Sequence, residues 1–208
     1  MVAGLSSHLR SSLTTTRLRG LRVSIAAAAV VLASMIMLAP AASAHGAGCA
    51  YANTPIAGAT HGQMQGAVIC LINEQRAARG LPGLRGNPRL NRSAQGWTND
   101  MVEHRAFTHG SDFASRISAV GFDWSNVGEN IATGFETPSA VVAGWMASTG
   151  HCQNILSPVY REVGIGVSAH SIAGYSNVVG TWTQDFGLLM GQSPASSNWG
   201  PAEGCPYR

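Results

Sequence analysis

The chain has 208 residues, a formal charge of +3 and no lysine. Arg10, Arg17, Arg19 and Arg22 account for four of its thirteen arginines and have no acid near them, so residues 45–208 hold nine arginines against ten acids, a charge of −1. With that balance and no arginine cluster interleaved with aromatics, a nucleic-acid surface is not expected.

Residues 1–44 read as an export signal. The four arginines form a basic n-region, Val23 to Ala39 is almost wholly apolar, and Ala42-Ser43-Ala44 offers the small-x-small pattern of a cleavage site. The apolar run is ~17 residues, the short edge for a membrane span, and an uncleaved anchor is the alternative. Leu18 separates Arg17 from Arg19, so there is no twin-arginine signal. The expected organisation is a signal over 1–44, a Gly-, Ala-, Thr- and Pro-rich arm over 45–63, one domain over 64–190 and a tail over 191–208. The expected product is secreted and monomeric, and meets the membrane only through the signal. Cys49, Cys70, Cys152 and Cys205 follow the signal, and an even count in an exported chain reads as two disulfides with three possible pairings. There is no Cys-x-x-Cys pair, which argues against a thiolate zinc or thioredoxin-type site.

Helical spacing of Met64, Val68, Leu71, Ile72 and Ala78 predicts a first helix ending at Gly80. Asn87-Pro88 starts a second, an N-cap followed by proline at the first helical position, with Leu90, Ala94, Trp97 and Met101 as its buried stripe and His104 as a structural residue near it. Phe107-Thr108-His109-Gly110 leads out. Ser111 or Asp112 caps a short third helix carrying Phe113, Ile117 and Val120. Val127 to Ala132 reads as an extended segment entering a loop. Thr137-Pro138 starts a fourth helix with Val141, Val142, Trp145 and Met146 inward, and His151 to Leu156 forms a fifth. The period then changes to two: Val163, Ile165 and Val167 alternate with Gly164, Gly166 and Ser168, a strand with one buried face. A turn near Ile172-Ala173-Gly174 leads to a second strand from Tyr175 to Gln184, with Val178 and Trp182 on one face and Val179 on the other, making a hairpin. Trp199 and Tyr207 are the tail's apolar anchors. Helices first and strands last predict an α+β fold.

His109, Glu129 and His151 each sit at an element boundary, where side chains on a rigid scaffold can converge on a cleft. Two imidazoles and a carboxylate suit a divalent metal or an acid–base pair. Each histidine also reads as an ordinary helix-end residue, and Glu129 as an acceptor of backbone N–H groups. Their separations of 20 and 22 residues match no local ligand motif.

The order of motifs is more specific. Leu71-Ile72-Asn73-Glu74-Gln75-Arg76, Phe107-Thr108-His109, Gly128-Glu129-Asn130-Ile131-Ala132, Trp145-Met146, Gly150-His151 with Asn154-Ile155-Leu156, Glu162 to Val167 and Trp182-Thr183-Gln184 together resemble the bacterial branch of the CAP superfamily. That superfamily groups cysteine-rich secretory, antigen-5-type and pathogenesis-related proteins. The resemblance implies an α-β-α sandwich around a small antiparallel sheet. It also implies a cleft with His109 and His151 as its histidines and Glu129 as its glutamate, holding a divalent cation such as zinc or magnesium. Animal and plant members add a second glutamate from the helix before the second histidine; Val141 to Thr149 has no acid, which leaves Glu162 as a weaker substitute. The pairing favoured beside this resemblance is Cys49 with Cys70 and Cys152 with Cys205, with Cys70–Cys152 still open. The expected function is a binding module for a divalent metal, a small apolar or lipid-like ligand, or a cell-envelope component. The alternative is a hydrolase using metal- or histidine-activated water on peptide or cell-wall bonds.

Overall fold

The computed structural model describes residues 48–196 and 204–205. Every described residue belongs to one compact unit, within Ala42–Arg208. The expected signal, Trp199 and Tyr207 lie outside the described residues.

Among the described residues, five α-helices and four strands make an α+β sandwich. The helices are α1 (His61–Ala77), α2 (Pro88–Glu103), α3 (Phe113–Ala119), α4 (Pro138–Met146) and α5 (Thr149–Ile155). The strands are β1 (Arg85–Gly86), β2 (Trp124–Thr133), β3 (Glu162–Ser168) and β4 (Thr181–Leu189), in the sheet order β1-β3-β4-β2. β1 runs parallel to β3, and the other pairs are antiparallel. The helix starts follow the expected local chemistry. Asn87, Asp112 and Thr137 each accept backbone N–H bonds at an N-cap, and Pro88 and Pro138 occupy first positions. Gly80 takes φ +70° just past α1, the conformation in which glycine closes a helix without Cβ strain.

α2 lies on one face of the sheet, and α1, α4 and α5 on the other. On the second face Val163, Ile165 and Val167 from β3 meet Trp182 and Phe186 from β4 and Trp145 from α4, all almost completely buried. Burying each of the larger side chains contributes about 2–3 kcal/mol.

β3 departs from the expectation of one buried face, since both its faces are covered. Its glycine face is where α2 rests: a Cβ on Gly164 would run into the Leu90 carbonyl carbon, and one on Gly166 into the Ala94 carbonyl oxygen. Glycine here marks close backbone approach, not solvent. The second strand begins at Thr181, not Tyr175, because β3 ends at Ser168, paired with Thr181, and leaves 175–180 without a ladder partner. Val178 and Val179 are accordingly exposed. β2 is a full ten-residue strand where a short extended segment was expected. Ala78 and His104 are exposed and Trp97 half-buried, so the buried stripes of α1 and α2 are narrower than their periodicity suggested. His104 contacts Asp100 one turn back.

Both disulfides take the favoured pairing, Cys49–Cys70 and Cys152–Cys205. Among the described residues no helix is long and apolar enough to cross a membrane.

Candidate functional site

β2 is an edge strand, and its free edge forms the floor of the cleft. Edge carbonyls need partners. The Asn154 side-chain amide donates to the Glu129 carbonyl (3.2 Å) and the Trp145 indole N–H to the Ile131 carbonyl (3.3 Å). Asn130, completely buried at the strand centre, ties three elements together. Its amide donates to the His151 carbonyl (3.1 Å) and to Gln184 Oε1 (3.0 Å), while its Oδ1 accepts from Asn154 (2.8 Å). Asn130, Asn154 and Gln184 therefore set where α5 sits against β2, and α5 carries His151. From below, buried Arg76 donates to the Ile155, Ser157 and Pro82 carbonyls at 2.8 Å. It thereby closes the C-terminal end of α5, and burial lowers its guanidinium to about 10.

His109 leaves the loop after α2 and meets Glu129 of β2, with Nδ1 2.8 Å from Oε1. The other oxygen of Glu129 accepts from Arg116 of α3 at 2.5 Å. The Glu129 side chain is 1% exposed, against 49% for His109. Arg116 is held on two further sides: it donates to the His109 carbonyl (3.1 Å) and lies 3.8 Å over the Trp97 ring. His151 is half-buried; its imidazole is pushed below the usual histidine range by burial first and by the charge of His109 second. Of the three expected cleft residues, His109 and Glu129 are in direct contact, and His151, on α5, lies near enough for the charge of His109 to act on it. Glu162 is placed elsewhere. It sits at the start of β3, bonded to Arg85 on the opposite edge of the sheet from β2 (2.5 Å).

Two residues of this cluster escape sequence reasoning. Arg116 is thirteen residues from Glu129 on an unremarkable short helix, with no local signal. Asp185 has a signal: an acid between Gln184 and Phe186 in a strand whose face is buried. It is 1% exposed and is the register partner of Glu129. Neither of its oxygens completes a hydrogen bond of normal geometry, though Ser93 and Glu129 lie against it. Burial, and then the Glu129 charge, push its carboxyl up to about 8.

The donors do not fit a divalent cation as placed. Among the described residues, the one set of three or more His, Cys, Asp or Glu donors lying within 4.8 Å of one another is Cys49, Cys70 and Glu74, and its sulfurs are joined to each other. Glu129 already carries a guanidinium on the oxygen that His109 leaves free.

Beside this polar cluster runs an apolar cavity of about 320 Å³. Ile131, Ala132 and Thr133 of β2 form its floor and Trp145 and Gly144 of α4 one wall. Phe107, Phe135, Tyr175, Ser148 and His151 complete its lining. Phe107 and Tyr175 pack ring to ring at 5.6 Å.

Comparison with known proteins places this architecture. The profile of the cysteine-rich secretory protein family, CAP, matches residues 69–186. An uncharacterized Bacillus subtilis protein, YkwD, is 37% identical over 125 residues, covering 57% of this chain and 45% of YkwD. An uncharacterized membrane protein of the same organism, YlbC, is 32% identical over 104 residues, covering 48% of this chain and 30% of YlbC. The chain thus spans less than half the length of the curated relatives it matches. Among solved structures, an extracellular protein containing a SCP domain from Bacillus anthracis superposes with a TM-score of 0.52 at 24% identity, covering 62% of this chain and 44% of that one. An outer surface protein from Borrelia burgdorferi does so with a TM-score of 0.50 at 21% identity, covering 57% of this chain and 86% of that one. These two likenesses are of fold.

Proposed function

The chain belongs to the cysteine-rich secretory protein family, CAP, and we propose that it is an exported binding module whose cleft takes a small apolar, lipid-like ligand with an uncharged polar end. One observation carries this reading: the cavity along β2 is lined by Ile131, Ala132, Trp145, Phe107, Phe135 and Tyr175, with His151 among them. A concave apolar site with few polar groups is the usual form of a small-ligand cleft, and about 320 Å³ lies at the lower end of that range. An imidazole held below its ordinary range is neutral at pH 7, so it offers a hydrogen bond and no charge. A hydroxyl or carbonyl suits it better than a carboxylate. The two disulfides fit an oxidising compartment, in keeping with export.

The test is displacement of a fluorescent apolar dye by 1-decanol from the purified protein. Ser148 lines the cavity and makes no cap hydrogen bond to α5, so Ser148→Phe fills the site at little local cost. Affinity should fall at least tenfold in that variant. Unchanged affinity would remove the cleft as the binding site.

A further inference from the structure

The geometry points to Arg116 as the resident cation of the cleft: its guanidinium neutralises Glu129 through Oε2 while His109 takes Oε1, so both carboxylate oxygens are engaged and the His109–Glu129 pair is independent of metal. The observations are independent of one another. Arg116 donates to Glu129 Oε2 at 2.5 Å. Its second arm donates to the His109 carbonyl, and its plane lies 3.8 Å over Trp97. A planar fork held by a carboxylate, a carbonyl and a ring face uses the features that separate arginine from lysine.

The surrounding donors favour the same assignment. α4, the element before His151, offers no acid, so the cluster lacks a second carboxylate on the cleft side. Asp185, 1% exposed, is the register partner of Glu129 and lies beside it on the face that α2 covers, away from solvent. A metal entering between His109 and Glu129 Oε1 would set a second cation on a carboxylate that is 1% exposed and already paired with a guanidinium through its other oxygen, where water cannot take over the charge. Two cations on one buried carboxylate would repel each other. Arg116 is therefore the residue that decides what the polar end of the cleft accepts. With the carboxylate neutralised, that end rejects metal ions and amines and accepts neutral donors and acceptors.

The experiment is zinc titration by calorimetry at about pH 7.5, above the ordinary histidine range, on the full chain, with His109→Ala as the reference that subtracts binding at other histidines. Wild type and His109→Ala should be indistinguishable. Arg116→Met keeps the stem over Trp97 and removes the charge; it should gain a one-to-one zinc site at least tenfold tighter, lost again when His109→Ala is added. Arg116→Lys keeps a cation and should gain nothing. A wild-type zinc site that His109→Ala abolishes would overturn the assignment, as would failure of a folded Arg116→Met to gain one. Should Arg116→Met not fold, the His109 ring resonances of the wild type decide: unmoved by stoichiometric zinc they support the assignment, and shifted they refute it. The dye displacement by 1-decanol in Ser148→Phe reports on the apolar cavity separately, so either reading can fail alone.

Discussion

Glu129 and Asp185 face each other as register partners across β2 and β4, two carboxyl groups buried on the face that α2 and α3 cover. Like charges directly opposite in an antiparallel pair destabilise it. The arrangement holds because the two acids are neutralised differently. Arg116 pairs with Glu129, and a retained proton neutralises Asp185, whose carboxyl burial pushes up to about 8. The proton belongs to the coupled pair, and the asymmetric placement of Arg116 puts it on Asp185.

A pH-dependent stability follows. Asp185 goes from an ordinary 3.8 when unfolded to about 8 when folded. Between those values the unfolded chain has released a proton that the native state keeps. Stability therefore falls as pH rises through that window and is flat on either side. Asp185→Asn has the same shape and no proton to lose. Its stability relative to wild type should rise between about pH 5 and about pH 8, by up to about 1.4 kcal/mol per unit. Urea midpoints at the two pH values measure this, and parallel profiles for the two proteins would refute it.

Asn130 is the second point of leverage. Truncating it removes the bonds it makes to Gln184 Oε1, to the His151 carbonyl and to Asn154, which keeps only its bond to the Glu129 carbonyl, and each buried group so orphaned costs about 1–3 kcal/mol. Asn130→Ala should destabilise by about 3 kcal/mol on that scale. Asn130→Asp should do no better, because a carboxylate accepts from Asn154 but cannot donate to His151 or Gln184. Amide hydrogen exchange should accelerate in 149–155 more than in α1. A uniform acceleration would mean that Asn130 does not position α5.

The elements that local chemistry announces were legible in the sequence: Asn87-Pro88, Asp112 and Thr137-Pro138 start helices where their caps require. His109 and Glu129 are in contact, a meeting that their separation along the chain does not announce. What escaped depends on pairing across the sheet. β2 carries Gly128, Glu129 and Asn130, poor strand formers, and is a strand because β4 pairs with it along its length. β4 begins only where Ser168 supplies a partner, so Tyr175 to Val179 alternate without consequence. Arg116 and Asp185 reach Glu129 through α3 packing and strand register, neither of which leaves a periodic trace.

The glycines of β3 separate crowding from propensity. An alanine methyl at Gly164 would collide with the Leu90 carbonyl carbon and the Asn91 nitrogen. Both are backbone atoms, so α2 must move as a body. Gly164→Ala should cost about 3 kcal/mol, at the upper end of overpacking losses. Gly96 on α2 itself meets nothing within 4 Å, and Gly96→Ala should stabilise by about 0.5–1 kcal/mol through helix propensity. Opposite signs in denaturant midpoints are expected; a neutral Gly164→Ala would mean that α2 does not rest on β3 as closely as described.

The two disulfides should contribute unequally. Cys152–Cys205 joins residues 53 apart and Cys49–Cys70 residues 21 apart. Loop-closure entropy assigns them about 4 and about 3 kcal/mol respectively. Replacing Cys152 and Cys205 together by serine should lower Tm by on the order of 10 °C, and the Cys49 and Cys70 pair by somewhat less. Cys152 adjoins His151, yet the hydrogen bonds from Asn130 and Asn154 fix α5 independently of the bridge. The Cys152→Ser, Cys205→Ser protein should therefore lose stability while its folded state keeps dye binding and 1-decanol displacement within about threefold of wild type, a change below about 1 kcal/mol. Loss of binding in the folded double variant would place the bridge, and not the asparagine network, in charge of His151.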